Sequence, residues 1–116
     1  RNLDRVGMRA IMGLARTGSS ASNGSGDYVV AFSTNPSVRK PRFSDSPVAI
    51  EVLVNESMSP LFASTAEAAE EAIYNAILKA TTVSSTRASL EAIPLDQLIP
   101  LLEEYEALNW NSRISQ

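Results

Sequence analysis

Apolar positions recur every three or four residues at the start of the chain, at Leu3, Val6, Ala10, Ile11 and Leu14. That spacing predicts an amphipathic helix over Leu3–Thr17, with Asn2 as its cap and Gly18 as its stop. Met8 and Met12 read as packing side chains on it and not as ligands. The period then shortens to two. Tyr28, Val30 and Phe32 alternate with Val29 and Ala31, which predicts a strand over Tyr28–Ser33 with apolar residues on both faces, expected to be covered on both sides. The stretch NPSVRKPRFSDSP (Asn35–Pro47) carries three prolines and breaks the pattern. Its basic residues Arg39, Lys40 and Arg42 read as a solvated loop. Val48–Val54 alternates again and predicts a second strand.

Ser59-Pro60 then opens a long helix, serine as cap and proline in the first turn. Its buried stripe includes Phe62, Ala66, Ala69, Ile73 and Ile77, and so much alanine implies close approach to a flat surface. Glu67, Glu70 and Glu71 read as solvating charges on the other side. Thr81–Ala92 is polar and reads as loop. PLDQLIPLLEEYEAL forms a last helix in which Pro100 must fall near the first turn or kink the axis. The expected order is helix-strand-strand-helix-helix. Residues 1–108 form part of one domain, and 109–116 a tail in which Trp110 is the large apolar group. Two strands alone make a marginal sheet with open edges. The expectation is therefore the latter part of a larger α+β layered domain, its other strands supplied from outside this segment.

Composition narrows the chemistry. With 10 basic against 13 acidic residues the net charge is −3, which argues against nucleic acid as a partner. No run approaches the length of a membrane span, so no membrane partner is expected. Cysteine and histidine are both absent, which removes thiolate chemistry, the usual general base and the commonest metal ligands. Any hydrolytic base must be a carboxylate, a lysine or an α-amine. The chain begins at Arg1 and not at methionine, so compartment stays open, with the cytoplasm favoured.

The loop GSSASNGSGD (Gly18–Asp27) is the candidate site. Gly26 lets the backbone bend between Ser25 and Asp27, so that a hydroxyl and a carboxylate converge on one point. On spacing alone the signal is weak, and an ordinary turn or linker is the favoured reading. Phosphate cradling fits poorly, since the loop precedes a strand and lacks a lysine.

GLARTGSSASNGSGDYVVAFST (Gly13–Thr34) closely resembles the L-aminopeptidase D-amidase/D-esterases and β-peptidyl aminopeptidases, the DmpA-like hydrolases. SPLFASTAEAAEEAIYNAIL (Ser59–Leu78) and TTVSSTRASLEAIPLDQL (Thr81–Leu98) resemble further blocks of that family, in its order. The resemblance implies an α-β-β-α sandwich and a precursor that cuts itself into a large and a small subunit. The new first residue of the small subunit is then a nucleophilic serine. It implies that Ser25 and Asp27 are assisting residues, Asp27 standing where many members carry glutamate. It places the nucleophile and its strand upstream of Arg1, and not at Ser19, Ser20, Ser22 or Ser25, none of which is an N-terminus. The implied partners are the large N-terminal subunit, a short peptide, amide or ester substrate, and further copies in a homo-oligomer. No metal or cofactor is implied. Lack of histidine suits a mechanism whose base is the nucleophile's own α-amine, with a pKa of about 7.7–8.0. The alternatives are a non-catalytic homologue or structural fragment, and an acyltransferase on a related fold.

Overall fold

The computed structural model describes residues 1–43 and 45–108; Trp110 and the expected tail lie outside the described residues. Two units are distinguished, Arg1–Ile73 and Tyr74–Gln116. The first begins with helix α1, Asn2–Arg16. Its end follows the sequence reading: Thr17 and Gly18 donate to the Leu14 and Ala15 carbonyls, and Gly18 takes a φ of +92°. Its start differs. Asn2 is the first helical residue, and its side-chain amide donates 3.0 Å to the Leu53 carbonyl instead of capping. Met8 and Met12 are exposed, away from the stripe of Val6, Ala10 and Gly13 that turns inward.

Helix α2, Met58–Leu78, follows a short 3-10 turn at Asn55–Ser57. Pro60 falls in its first turn, where its missing N–H costs nothing. The flat surface that its alanines fit is α1 itself. A Cβ built on Gly13 would stand 2.8 Å from the Ala69 Cβ and 3.1 Å from the Glu70 nitrogen, and closer still to the Ala66 carbonyl oxygen. The backbones meet there, and only glycine on α1 and alanine on α2 permit it. Ala66 and Met58 are the buried apolar residues among those described. Glu70 is not merely solvated, since it pairs with Arg16 at 3.4 Å across this crossing.

The segments 28–33 and 48–54 form no strand ladder in the described structure. Residues 48–54 are exposed throughout, but the side chains of 28–33 still alternate. Val29 and Ala31 approach Gly7 of α1, whereas Tyr28, Val30 and Phe32 are 91%, 85% and 74% exposed. The expectation of cover on both faces is therefore not met within the described residues. A strand needs a neighbour to receive its N–H and C=O groups, and none of the described residues takes that position.

The second unit, from Tyr74, carries the end of α2, the sheet and the last helix. Strands β1 (Val83–Ser84) and β2 (Ser89–Leu90) pair antiparallel, Val83 opposite Leu90 and Ser84 opposite Ser89. The sequence reading had this region as loop. The hairpin is held by hydroxyls: Ser84 and Ser89 Oγ lie 2.7 Å apart, and Ser85 Oγ accepts from the Arg87 and Ala88 amides. Helix α3, Leu95–Glu104, contains Pro100 past its first turn. Glu106 ends it with a φ of +53°, while Ala107 donates to the Leu102 carbonyl and Glu106 to that of Glu103. That pair of bonds is the Schellman arrangement, with glutamate where glycine is usual. Three helices with a two-stranded antiparallel sheet make the chain α+β, in the order α1, α2, β1, β2, α3.

Candidate functional site

The loop leaving α1 is built by its glycines and hydroxyls. Ser22–Ser25 forms a turn closed by the Ser25 amide donating 2.9 Å to the Ser22 carbonyl. Gly24 is the third residue of that turn and has a φ of +95°, the conformation for which glycine is preferred there. The turn delivers Ser25 with its side chain toward Asp27. Ser25 Oγ donates 2.9 Å to Asp27 Oδ2. The two residues singled out by spacing are thus brought together.

The other serines are occupied within the loop. Ser20 and Ser22 share a 2.9 Å hydrogen bond, and Ser19 Oγ accepts from the Ala21 amide. Among the described residues none of the three bonds a carboxylate, and Ser25 carries the hydroxyl–acid pairing of this loop.

Asp27 lines a hollow of about 270 Å3 together with Leu3, Asp4, Gly7, Val29 and Ala31. It also borders a second opening with Leu14, Tyr28 and Ala69. Both belong to the first unit. That Asp4 lines the same hollow as Asp27 is not legible in the sequence, because it depends on how residues 27–31 lie along α1. The Ser25–Asp27 pair itself is exposed to solvent. Its carboxylate is therefore ready to accept a second donor as well as the Ser25 hydroxyl.

The basic loop stays apart from this pair in its bonding. Arg39 donates to the Thr34 carbonyl, and the Arg42 guanidinium lies 5.4 Å from the Phe43 ring centroid. Among the described residues no cluster of three or more acidic side chains is arranged to hold a metal ion. Among the described residues no helix is long and apolar enough to cross a membrane.

The model of peptidase family S58 matches residues 1–90, the span that holds α1, the Ser25–Asp27 loop, α2 and the hairpin. The chain belongs to peptidase family S58. Curated members of the family agree. The β-peptidyl aminopeptidase BapA of Sphingosinicella microcystinivorans is 33% identical over 108 residues, which is 91% of this chain and 27% of that protein. BapA of Sphingosinicella xenopeptidilytica is 35% identical over 105 residues, 87% of this chain and 25% of that protein. The chain therefore spans about a quarter of the length of the family relatives it matches. Among solved structures, the PH0078 protein from Pyrococcus horikoshii OT3 is 44% identical, with a TM-score of 0.79 over 90% of this chain and 29% of that one. The arrangement described above is thus shared with a segment of a larger protein.

Proposed function

We propose that this chain is the small-subunit portion of a self-processing serine aminopeptidase of family S58. In this reading residues 1–108 are part of one hydrolase domain. The whole enzyme releases amino-terminal residues from short peptides, amides or esters. The observation that carries the reading is the 2.9 Å hydrogen bond from Ser25 to Asp27, in a chain whose family is a peptidase family.

The nucleophile is the N-terminal serine of a strand outside these residues. Its own α-amine takes the hydroxyl proton as the oxygen attacks the substrate carbonyl. The amine or alcohol leaving group departs with that proton, and an acyl-enzyme remains. Water then attacks the ester, the α-amine takes its proton and passes it to the serine oxygen as the C–O bond breaks, and the acid is released. Ser25 hydrogen-bonds the attacking serine or its amine and relays the proton. Asp27 holds the Ser25 hydroxyl in direction and steadies the ammonium that forms. No metal or cofactor takes part.

The same reading accounts for the uncovered apolar faces. Tyr28, Val30 and Phe32, together with Val52 and Val54, are exposed in this segment. In the whole enzyme, residues 28–33 and 48–54 become strands of an α-β-β-α sandwich whose remaining strands are the nucleophile's own strand and those of the large subunit. Paired subunits then assemble into a homo-oligomer.

The test is expression of the full precursor, intact mass to find two subunits, and turnover of aminoacyl-p-nitroanilides. Ser25→Ala and Asp27→Ala each lower turnover by about 10²–10⁴-fold, the range for loss of a proton-transfer partner. Wild-type turnover in either correctly folded variant removes that residue from the mechanism. A single uncleaved chain without hydrolysis removes the enzyme reading itself.

A further inference from the structure

We infer a binding site for an oxyanion, a carboxylate or phosphate group, at the amino-terminal end of α1 and built on Arg5 and Asn55. A hollow of about 100 Å3 lies there, lined by Arg1, Asn2, Arg5, Val52, Leu53 and Asn55. Its lining holds two cations and no carboxylate, in a chain whose net charge is −3.

Arg5 is half-buried and held in place by neutral groups. Its guanidinium donates 2.9 Å to Asn55 Oδ1 and 3.5 Å to Asn2 Oδ1, and lies 4.8 Å from the Phe62 ring centroid. Arg9 stacks on the same ring at 4.0 Å and donates to the Arg5 carbonyl. Neither arginine makes an ion pair among the described residues. Two guanidiniums on one ring repel each other, and the ring face offsets that only in part. An anion in the hollow beside Arg5 offsets that repulsion.

The donors suit one. A guanidinium has five N–H groups in a planar fork that matches two oxygens of a carboxylate or phosphate. Arg5 uses part of that fork on asparagine carbonyls, and Asn55 keeps its amide nitrogen as a further donor. Because stacking and hydrogen bonds already fix the guanidinium, binding loses little side-chain entropy. The anion has two possible sources, a solute or an acidic side chain from the rest of the enzyme.

The test uses the full-length enzyme in thermal scans at constant ionic strength, with inorganic phosphate replacing chloride. For a solute site, phosphate raises the wild-type Tm with the logarithm of its concentration above the Kd, by about 2 °C at roughly ten times the Kd. Arg5→Gln then abolishes the rise. Asn55→Ala, which leaves Arg5 on Phe62, weakens phosphate binding by about tenfold, as expected for one lost hydrogen bond to a charged group. For an internal carboxylate, phosphate has no effect, and Arg5→Gln lowers the Tm by less at pH 3 than at pH 7, because the contribution of a carboxylate whose pKa an arginine partner lowers is lost progressively below about pH 4. The inference is overturned if Arg5→Gln leaves a phosphate response intact. It is also overturned if phosphate has no effect and the Tm change of Arg5→Gln is the same at both pH values.

Discussion

Replacing Gly13 by alanine and Gly7 by alanine makes the same chemical change on the same helix, and the structure assigns the two changes opposite signs. In helix interiors alanine is favoured over glycine by about 1 kcal/mol, through lower backbone entropy in the unfolded chain. At Gly7 a new Cβ meets the Val29 Cγ1 at 3.4 Å and the Ala31 Cβ at 3.8 Å, both ordinary contacts with side chains. Gly7→Ala therefore stabilises by about 0.5–1 kcal/mol. At Gly13 the same atom would press on the Ala66 carbonyl and stand 2.8 Å from the Ala69 Cβ, all of it on the α2 helix. No side-chain rotation relieves this, so the helices must separate and open the packing around Ala66. Overpacking of this kind costs about 1–3 kcal/mol, which outweighs the propensity gain. Gly13→Ala is expected to destabilise by up to about 2 kcal/mol. Calorimetric scans of the full-length enzyme with each substitution read the sign directly. A Tm for Gly13→Ala raised as far as that for Gly7→Ala would show that the backbones do not meet at this point.

Other consequences follow from single observations. Gly24→Ala has open space for its Cβ, so its cost of about 1 kcal/mol is that of a positive φ; the turn presenting Ser25 loosens, and turnover on an aminoacyl-p-nitroanilide falls about threefold to tenfold. Ser85→Ala removes the acceptor of the Arg87 and Ala88 amides; at about 1 kcal/mol for such a bond, hydrogen exchange at those two amides speeds up about fivefold. Glu106→Gly relieves the left-handed residue after α3 and stabilises that end by about 1 kcal/mol, read as slower exchange at the Ala107 amide.

Much of the architecture was readable from spacing. The stripe Leu3–Leu14 and the glycine at 18 marked α1 to within a residue at either end. Ser25 and Asp27, two apart across a glycine, do meet. Other features depended on partners that local pattern does not encode. The alternation at 28–33 correctly separated Val29 and Ala31 from Tyr28, Val30 and Phe32, yet a ladder needs a neighbouring strand and the described residues provide none. The hairpin at 83–90 escaped notice because serine hydroxyls, and not alternating apolar residues, set its register. Gly13 reads in sequence only as a weak helix former. Its value lies in what it leaves out, which shows once α2 lies against it. Asn2 resembles a cap, but its amide finds the Leu53 carbonyl across a long stretch of chain. The hollow shared by Asp4 and Asp27 likewise depends on how residues 27–31 lie along α1.

The central claim is that the Ser25 hydroxyl and the Asp27 carboxylate work as a hydrogen-bonded unit in catalysis. A double-mutant cycle on the processed full-length enzyme addresses it most directly, with kcat/KM measured on an aminoacyl-p-nitroanilide for Ser25→Ala, Asp27→Asn and the pair together. Residues acting as one unit give a double variant little slower than the worse single one. Losses that multiply independently, or a double variant with wild-type kcat/KM, would contradict the account.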